Sequence, residues 1–279
     1  MKAFKLSYLI LILFGSLLYF EGFLTYYLSV YIKNNYFLAL IMLLIALLIL
    51  FLYKFLSKGT IRKNFSFKNA NLVLVVVGLV FPLALIGRLL NPEFDLIYGT
   101  LNNLKSFLLL LSFSALTLLV VIKEEIIQRL LLQEKISDIL GSLAAVLIVP
   151  INFSLYHFGF YIQFGIKTAI IAVISILITS ILIALLFEKT KSILLAALTH
   201  FLINFIILFQ IFLSLNNYYL ELILWFLWGI LFIYGLFKIN GLFRINLMLY
   251  DINLFKFLFI MVFSLLPFLL PLLVSFLYS

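Results

Sequence analysis

The stretch VIKEEIIQRL, residues 121–130, places two glutamates and an arginine in a chain that is otherwise rich in leucine, isoleucine and phenylalanine. The sequence is 67% hydrophobic and only 10% charged over 279 residues, whereas about a quarter of the residues of a soluble domain are charged. The composition therefore predicts an integral membrane protein with the lipid bilayer, and not a nucleic acid, as its partner. Cysteine is absent, which excludes disulfides, thiolate nucleophiles and cysteine-based metal sites.

Long apolar runs predict the architecture. A helix needs about 20 apolar residues to cross a hydrocarbon core of ~30 Å, so the runs predict an all-α, polytopic bundle of about 8–9 transmembrane helices. The candidate spans are 6–32, 36–53, 70–90, 104–132, 142–160, 166–187, 192–212, 218–237 and 255–277. The last contains Pro267 and Pro271 and would be kinked or re-entrant, which leaves the count between eight and nine.

The basic residues predict the orientation of these helices. With a cytoplasmic N-terminus, fifteen Lys and Arg fall in inside segments, and only Lys33, Arg88, Lys105 and Lys167 fall outside. Lys and Arg are enriched on the cytoplasmic side of membrane proteins. We therefore expect a multi-pass protein of the plasma membrane with its N-terminus in the cytoplasm.

Ionisable groups inside a membrane are costly and mark functional sites. Most acidic residues, Glu221 among them, are expected at solvated helix ends. The polar residues expected within the hydrocarbon core are Glu124, Glu125, Arg129, His157, His200 and Asn204.

Helical spacing groups these residues. We read residues 121–130 as part of one continuous helix. Residues four apart share a helix face, which pairs Glu125 with Arg129, Phe153 with His157, and His200 with Asn204. A buried Arg129 would neutralise Glu125, because an unpaired buried charge is strongly destabilising. Glu124, rotated by about 100°, would face other helices.

Depth gives a second grouping. Residues 134–138 are expected to form a cytoplasmic turn that ends at Gly141, and Glu125 and His157 each lie 16 residues from that glycine. His200 lies nine residues from Lys191, as Glu124 does from Gln133. The groups would then share one level in the cytoplasmic half of the bilayer. An interhelical polar clamp and a catalytic site both fit this pattern.

The three motifs together resemble the signature of the CPBP family, the CAAX prenyl proteases and bacteriocin-processing enzymes, also called ABI proteins. They are Glu124-Glu125-x-x-x-Arg129, Phe153-x-x-x-His157 and His200-x-x-x-Asn204. Leu130 departs from the glycine that follows the arginine in many relatives. The resemblance implies N-terminal helices at 1–102, a four-helix catalytic core at 103–210 and C-terminal helices at 211–279.

The resemblance also implies roles. Glu124 would be the general base that activates water, His157 would position that water, and His200 and Asn204 would stabilise the oxyanion. Glu125, Arg129 and Phe153 would support these groups. No cofactor is expected. The alternative is a zinc ion held by Glu124, His157 and His200, because two histidines and a glutamate form a known zinc ligand set.

The implied activity is an intramembrane endopeptidase acting on a peptide or lipidated protein, such as a prenylated CAAX protein, a bacteriocin or a pheromone leader. Two other functions stay open. One is an immunity or regulatory protein that binds a membrane partner without cleaving it. The other is a proton-coupled transporter, for which the paired half-repeats of transporters are not visible in the sequence.

Overall fold

A computed structural model describes residues 44, 48, 51, 66–90, 104–162 and 165–245. The described segments are helical and contain no strand, as the sequence predicts. The helices are α1 (Asn71–Leu79), α2 (Phe81–Leu90), α3 (Leu104–Glu125), a π-helix (Ile126–Gln133), α4 (Glu134–Leu140), α5 (Ser142–Tyr161), α6 (Ile166–Thr190), α7 (Ile193–Asn216) and α8 (Tyr218–Phe243).

Local sequence signals set the helix ends. Gly141 has φ 93° and Gly165 has φ 99°, a region that glycine enters without steric cost, and these residues precede α5 and α6. The side chain of Ser192 accepts a hydrogen bond from the Leu195 amide at 3.3 Å, and Asn217 accepts one from the Leu220 amide at 3.1 Å. Both are N-caps that satisfy amides left open at a helix start.

Four stretches of the described chain are long and apolar enough to cross a membrane: Asn71–Leu90, Ile166–Thr190, Ile193–Asn216 and Tyr218–Phe243. Each coincides with a span predicted from the sequence. The predicted total of eight or nine is not confirmed. The candidates at 6–32 and 255–277, and that at 36–53 apart from three residues, lie outside the described residues.

The described residues fall into two compact units. In the first, whose described residues are 44, 48, 51, 123–162 and 165–184, α5 packs against the π-helix and α4. This contact confirms a helical hairpin around Gly141. Its core contains Ile126, Ile127, Leu130, Leu131, Leu132, Ile136, Leu140, Ala145 and Val149.

In the second unit, residues 66–90, 104–122 and 185–245, α1 packs closely against α8 and also contacts α7. Two glycines permit the close approach. A Cβ atom on Gly78 would overlap the Leu231 carbonyl oxygen, and one on Gly235 would lie 3.0 Å from the Val75 carbonyl oxygen. The indole nitrogen of Trp228 donates to the Val77 carbonyl oxygen at 2.8 Å, which further joins the two helices.

The prediction that residues 121–130 belong to one continuous helix is confirmed, but the helix changes type within them: α3 ends at Glu125, and eight residues of π-helix follow without a break. The prediction of a turn at residues 134–138 is wrong, since these residues belong to α4 and the chain reverses at Gly141. The eight π-helical residues are all buried, so contacts with neighbouring helices favour the wider i→i+5 turn that isolated chains rarely adopt.

The expectation of a solvated Glu221 is also wrong. Glu221 is only 5% exposed, and its Oε1 accepts hydrogen bonds from Arg88 at 3.3 Å and from the Trp225 indole at 3.2 Å. The charge at this helix start is stabilised by an arginine from α2, which lies 133 positions earlier in the sequence and which sequence spacing could not pair with it.

Candidate active site

The glutamate pair lies where α3 becomes the π-helix. Glu125, the last residue of α3, is 1% exposed, and Arg129 is completely buried. The Arg129 Nε donates to Glu125 Oε2 at 2.8 Å. This confirms the predicted ion pair, in which each buried charge is neutralised by the other.

The other two nitrogens of the guanidinium are also occupied. Nη1 donates to Gln133 Oε1 at 2.9 Å, and Nη2 donates to Ser180 Oγ at 3.4 Å. Gln133 and Ser180 were not identified from the sequence. Gln133 repeats the four-residue step from Glu125 to Arg129, which was a usable signal. Ser180 is 51 positions from Arg129 and gave none.

Glu124 has a different environment from its neighbour. Its side chain is half-buried, whereas that of Glu125 is buried. The carboxylate of Glu125 is therefore enclosed in an ion pair, whereas that of the adjacent Glu124 has access to a surface of the unit. The two glutamates are suited to different tasks.

His157 lies on α5, one turn after Phe153. Its Nδ1 is 2.8 Å from the Phe153 carbonyl oxygen, and a carbonyl only accepts hydrogen bonds, so Nδ1 carries the proton. In the neutral ring, Nε2 then has the lone pair. The Phe153 ring packs edge-on against the imidazole with centroids 4.4 Å apart. These contacts confirm the predicted pairing and fix the orientation of the ring.

His200 and Asn204 lie one turn apart on α7. His200 is 7% exposed and Asn204 is half-buried. Phe201, Phe205 and Phe209 form a row of stacked rings along this helix, with consecutive centroids 5.9 Å apart. The spacing places His200 and Asn204 on neighbouring positions of one helix face.

The structure thus joins the predicted residues in two local groups. The Glu124–Glu125–Arg129 segment and the Phe153–His157 pair belong to the first unit, while His200 and Asn204 belong to the second. Within the described part of either unit, no three His, Cys, Asp or Glu side chains are grouped as a metal site requires. That the catalytic candidates act together stays a prediction.

Residues 106–206 match the family model described as "Type II CAAX prenyl endopeptidase Rce1-like". This segment of the chain is therefore similar to the CAAX protease family. It covers 101 of 279 residues and includes all three motifs. The four apolar helices of the described chain point to an integral membrane protein. No curated protein and no solved structure matches the chain significantly.

Proposed function

We propose that this CAAX protease relative is an intramembrane endopeptidase in which Glu124 activates the attacking water. The observation that supports this proposal is the difference between the environments of the two adjacent glutamates. Arg129 encloses Glu125 in a buried ion pair at 2.8 Å, whereas Glu124 is only half-buried, and both lie in the segment that matches a protease family. Glu124 is therefore the better candidate for contact with substrate.

In the proposed reaction, Glu124 takes a proton from water as the water oxygen attacks the scissile carbonyl carbon. The Nε2 lone pair of His157 accepts a hydrogen bond from that water and orients it. His200 and Asn204 donate to the oxyanion that develops, the type of stabilisation that often contributes most to catalysis. The protonated Glu124 then delivers its proton to the leaving nitrogen as the C–N bond breaks.

The proposed substrate is a membrane-associated peptide or lipidated protein. The description of the matching family, prenyl endopeptidase, favours a prenylated CAAX-like protein over a bacteriocin or a pheromone leader. We place the reaction in the cytoplasmic half of the plasma membrane, because fifteen of the nineteen basic residues fall in segments assigned to the inside.

Comparative peptidomics tests the proposal. Membranes from cells with the wild-type chain are compared with membranes containing Glu124→Gln at equal expression. We expect one or more precursors to accumulate uncut in the variant, because the amide of glutamine cannot accept the proton from water. Identical peptide profiles would contradict protease activity and would favour a regulatory protein that binds without cleaving.

Zinc is the mechanistic alternative, with Glu124, His157 and His200 as its ligands. Such an ion would supply Lewis-acid activation of water. We propose the metal-free reaction, since a glutamate base and three neutral polar side chains account for each proton and for the oxyanion. Cleavage of the identified precursor after verified metal depletion by a strong chelator would support this choice. Loss of cleavage, restored by added zinc, would establish the alternative.

A further inference from the structure

A buried polar network extends beyond the three family motifs. It connects the π-helix to α6 through Gln128, Arg129, Gln133 and Ser180, each of which is no more than 2% exposed. Apolar side chains of similar volume at these positions would often make the protein equally stable or more stable than buried ionic groups do. A polar network at this place therefore calls for a role other than stability.

Gln133 ties the end of the π-helix to α6. Its Oε1 accepts from Arg129 Nη1 at 2.9 Å, and its Nε2 donates to the Ala184 carbonyl oxygen at 3.0 Å. One amide thus contacts the guanidinium with one end and the backbone of α6 with the other. This arrangement fixes the distance between Arg129 and α6.

Ser180 forms a second link one turn earlier on α6. Its Oγ accepts from Arg129 Nη2 at 3.4 Å and donates to Gln128 Oε1 at 3.4 Å. Ser180 and Ala184 are four residues apart and therefore lie on the same face of α6. Together they fix both the height and the rotation of the π-helix relative to α6.

The rotation of the π-helix matters for the glutamates directly before it. Arg129 pairs with Glu125 through the nitrogen Nε, so a shift of the guanidinium would move Glu125 and with it the adjacent Glu124. Arginine donates in a rigid planar fork, which transmits such a shift. Extended π-helices are rare, and short π-segments occur frequently at functional sites.

We propose that Gln133 and Ser180 are positioning residues. They hold Arg129 from α6 and thereby lock the π-helix in the rotation that orients Glu124 for water activation. This inference rests on the proposed function, because it assigns the network to the same reaction.

Kinetics of purified variants in proteoliposomes test the inference, with the identified precursor peptide as substrate. Gln133→Met and Ser180→Ala remove the two links. We expect kcat to fall on the order of 10- to 100-fold, by analogy with the loss of a hydrogen-bond partner of a metal-binding side chain. KM should stay within about twofold, since neither residue is assigned to substrate binding, and a misplaced catalytic group lowers the rate of the chemical step.

Two substitutions of the same kind are the controls. Gln210→Met replaces another buried glutamine, 4% exposed, and Ser114→Ala removes a hydroxyl that bonds within its own helix, to the Leu110 carbonyl oxygen at 2.7 Å. Both should retain wild-type kcat. Ser180→Thr keeps the hydroxyl and should restore most of the kcat lost in Ser180→Ala.

The outcomes separate this inference from the proposed function. If Glu124→Gln is inactive while Gln133→Met and Ser180→Ala keep wild-type kcat, the positioning role fails and the protease stands. If these two variants have lower thermal stability and unchanged kcat, the network has only a structural role and the inference likewise fails. Ser180→Ala removes a single oxygen, so it decides the question even if Gln133→Met does not fold. An active Glu124→Gln would instead overturn the proposed function.

Discussion

At the scale of single residues, Arg129 organises the region around the glutamates. Its three guanidinium nitrogens donate to Glu125, Gln133 and Ser180, and its side chain is entirely buried. A charge in such a place is tolerated only with a partner and satisfied hydrogen bonds. Glu125 therefore balances the charge of Arg129, and the half-buried Glu124 is the glutamate that we propose as the catalytic base.

The ion pair predicts an asymmetry between single and double substitutions. Arg129→Met should lower the free energy of unfolding by about 3–5 kcal/mol, because it removes the oppositely charged partner of the buried Glu125 carboxylate. Adding Glu125→Gln should recover part of that loss, since the side chain that lost the arginine is then neutral. Equilibrium unfolding in mixed micelles measures both. A double variant no more stable than Arg129→Met would contradict the assignment of Glu125 as the counter-ion.

Sequence spacing predicted two contacts of this region that lie within one helix, but not that of Arg129 with Gln133. Glu125 with Arg129 and Phe153 with His157 are four residues apart, and both contacts are observed. Partners contributed by another helix were missed, as Ser180 for Arg129 and Arg88 for Glu221 show. Such pairs depend on how helices pack, and a single sequence contains no periodic signal for them.

At the scale of helices, the π-helix and the α1–α8 crossing both depend on tight packing. The starts of α5, α7 and α8 lie within one residue of the starts predicted from the apolar runs, and Gly141, Ser192 and Asn217 precede them. The π-helix was not predicted, since its i→i+5 bonds are favoured by contacts with α5 and α6 and not by local propensity.

The helix crossing predicts the effect of adding one methyl group. Gly78→Ala should destabilise the protein by about 1–3 kcal/mol, because the new Cβ would overlap the Leu231 backbone on α8 and force the helices apart. Gly87→Ala is the matched control, since a Cβ added there would meet no atom within 4 Å and alanine favours a helix by roughly 0.5–1 kcal/mol. Thermal unfolding in detergent compares the two, and equal effects would contradict the close crossing.

At the scale of the whole molecule, the bilayer determines most of what the sequence predicts. Four apolar helices of 20–26 residues are present in the described chain, and α8 exposes large apolar side chains, with Tyr219 and Phe237 each 80% exposed. Hydrocarbon accommodates such a surface. Composition therefore predicted the membrane environment and these four spans. Both depend on the apolar content of each run and not on how the helices pack.

The charge asymmetry predicts which end of α7 faces the cytoplasm. The chain has no cysteine, so a single cysteine introduced at Lys191 or Tyr219, which flank α7, would be its only site for labelling by a maleimide. A membrane-impermeant maleimide should label Tyr219→Cys in intact cells and Lys191→Cys only after permeabilisation. The reverse pattern would contradict the predicted orientation.

Hydrolysis of the precursor by purified wild-type protein and by Glu124→Gln in proteoliposomes tests the central claim most directly. General-base catalysis contributes about 10²–10⁴-fold, so we expect kcat to fall by that factor in the variant, with unchanged thermal stability. Glu125→Gln provides the comparison, because its carboxylate serves Arg129 and should affect stability more than Glu124→Gln does. A stable Glu124→Gln protein that cleaves at the wild-type rate would contradict the assignment of Glu124 as the base.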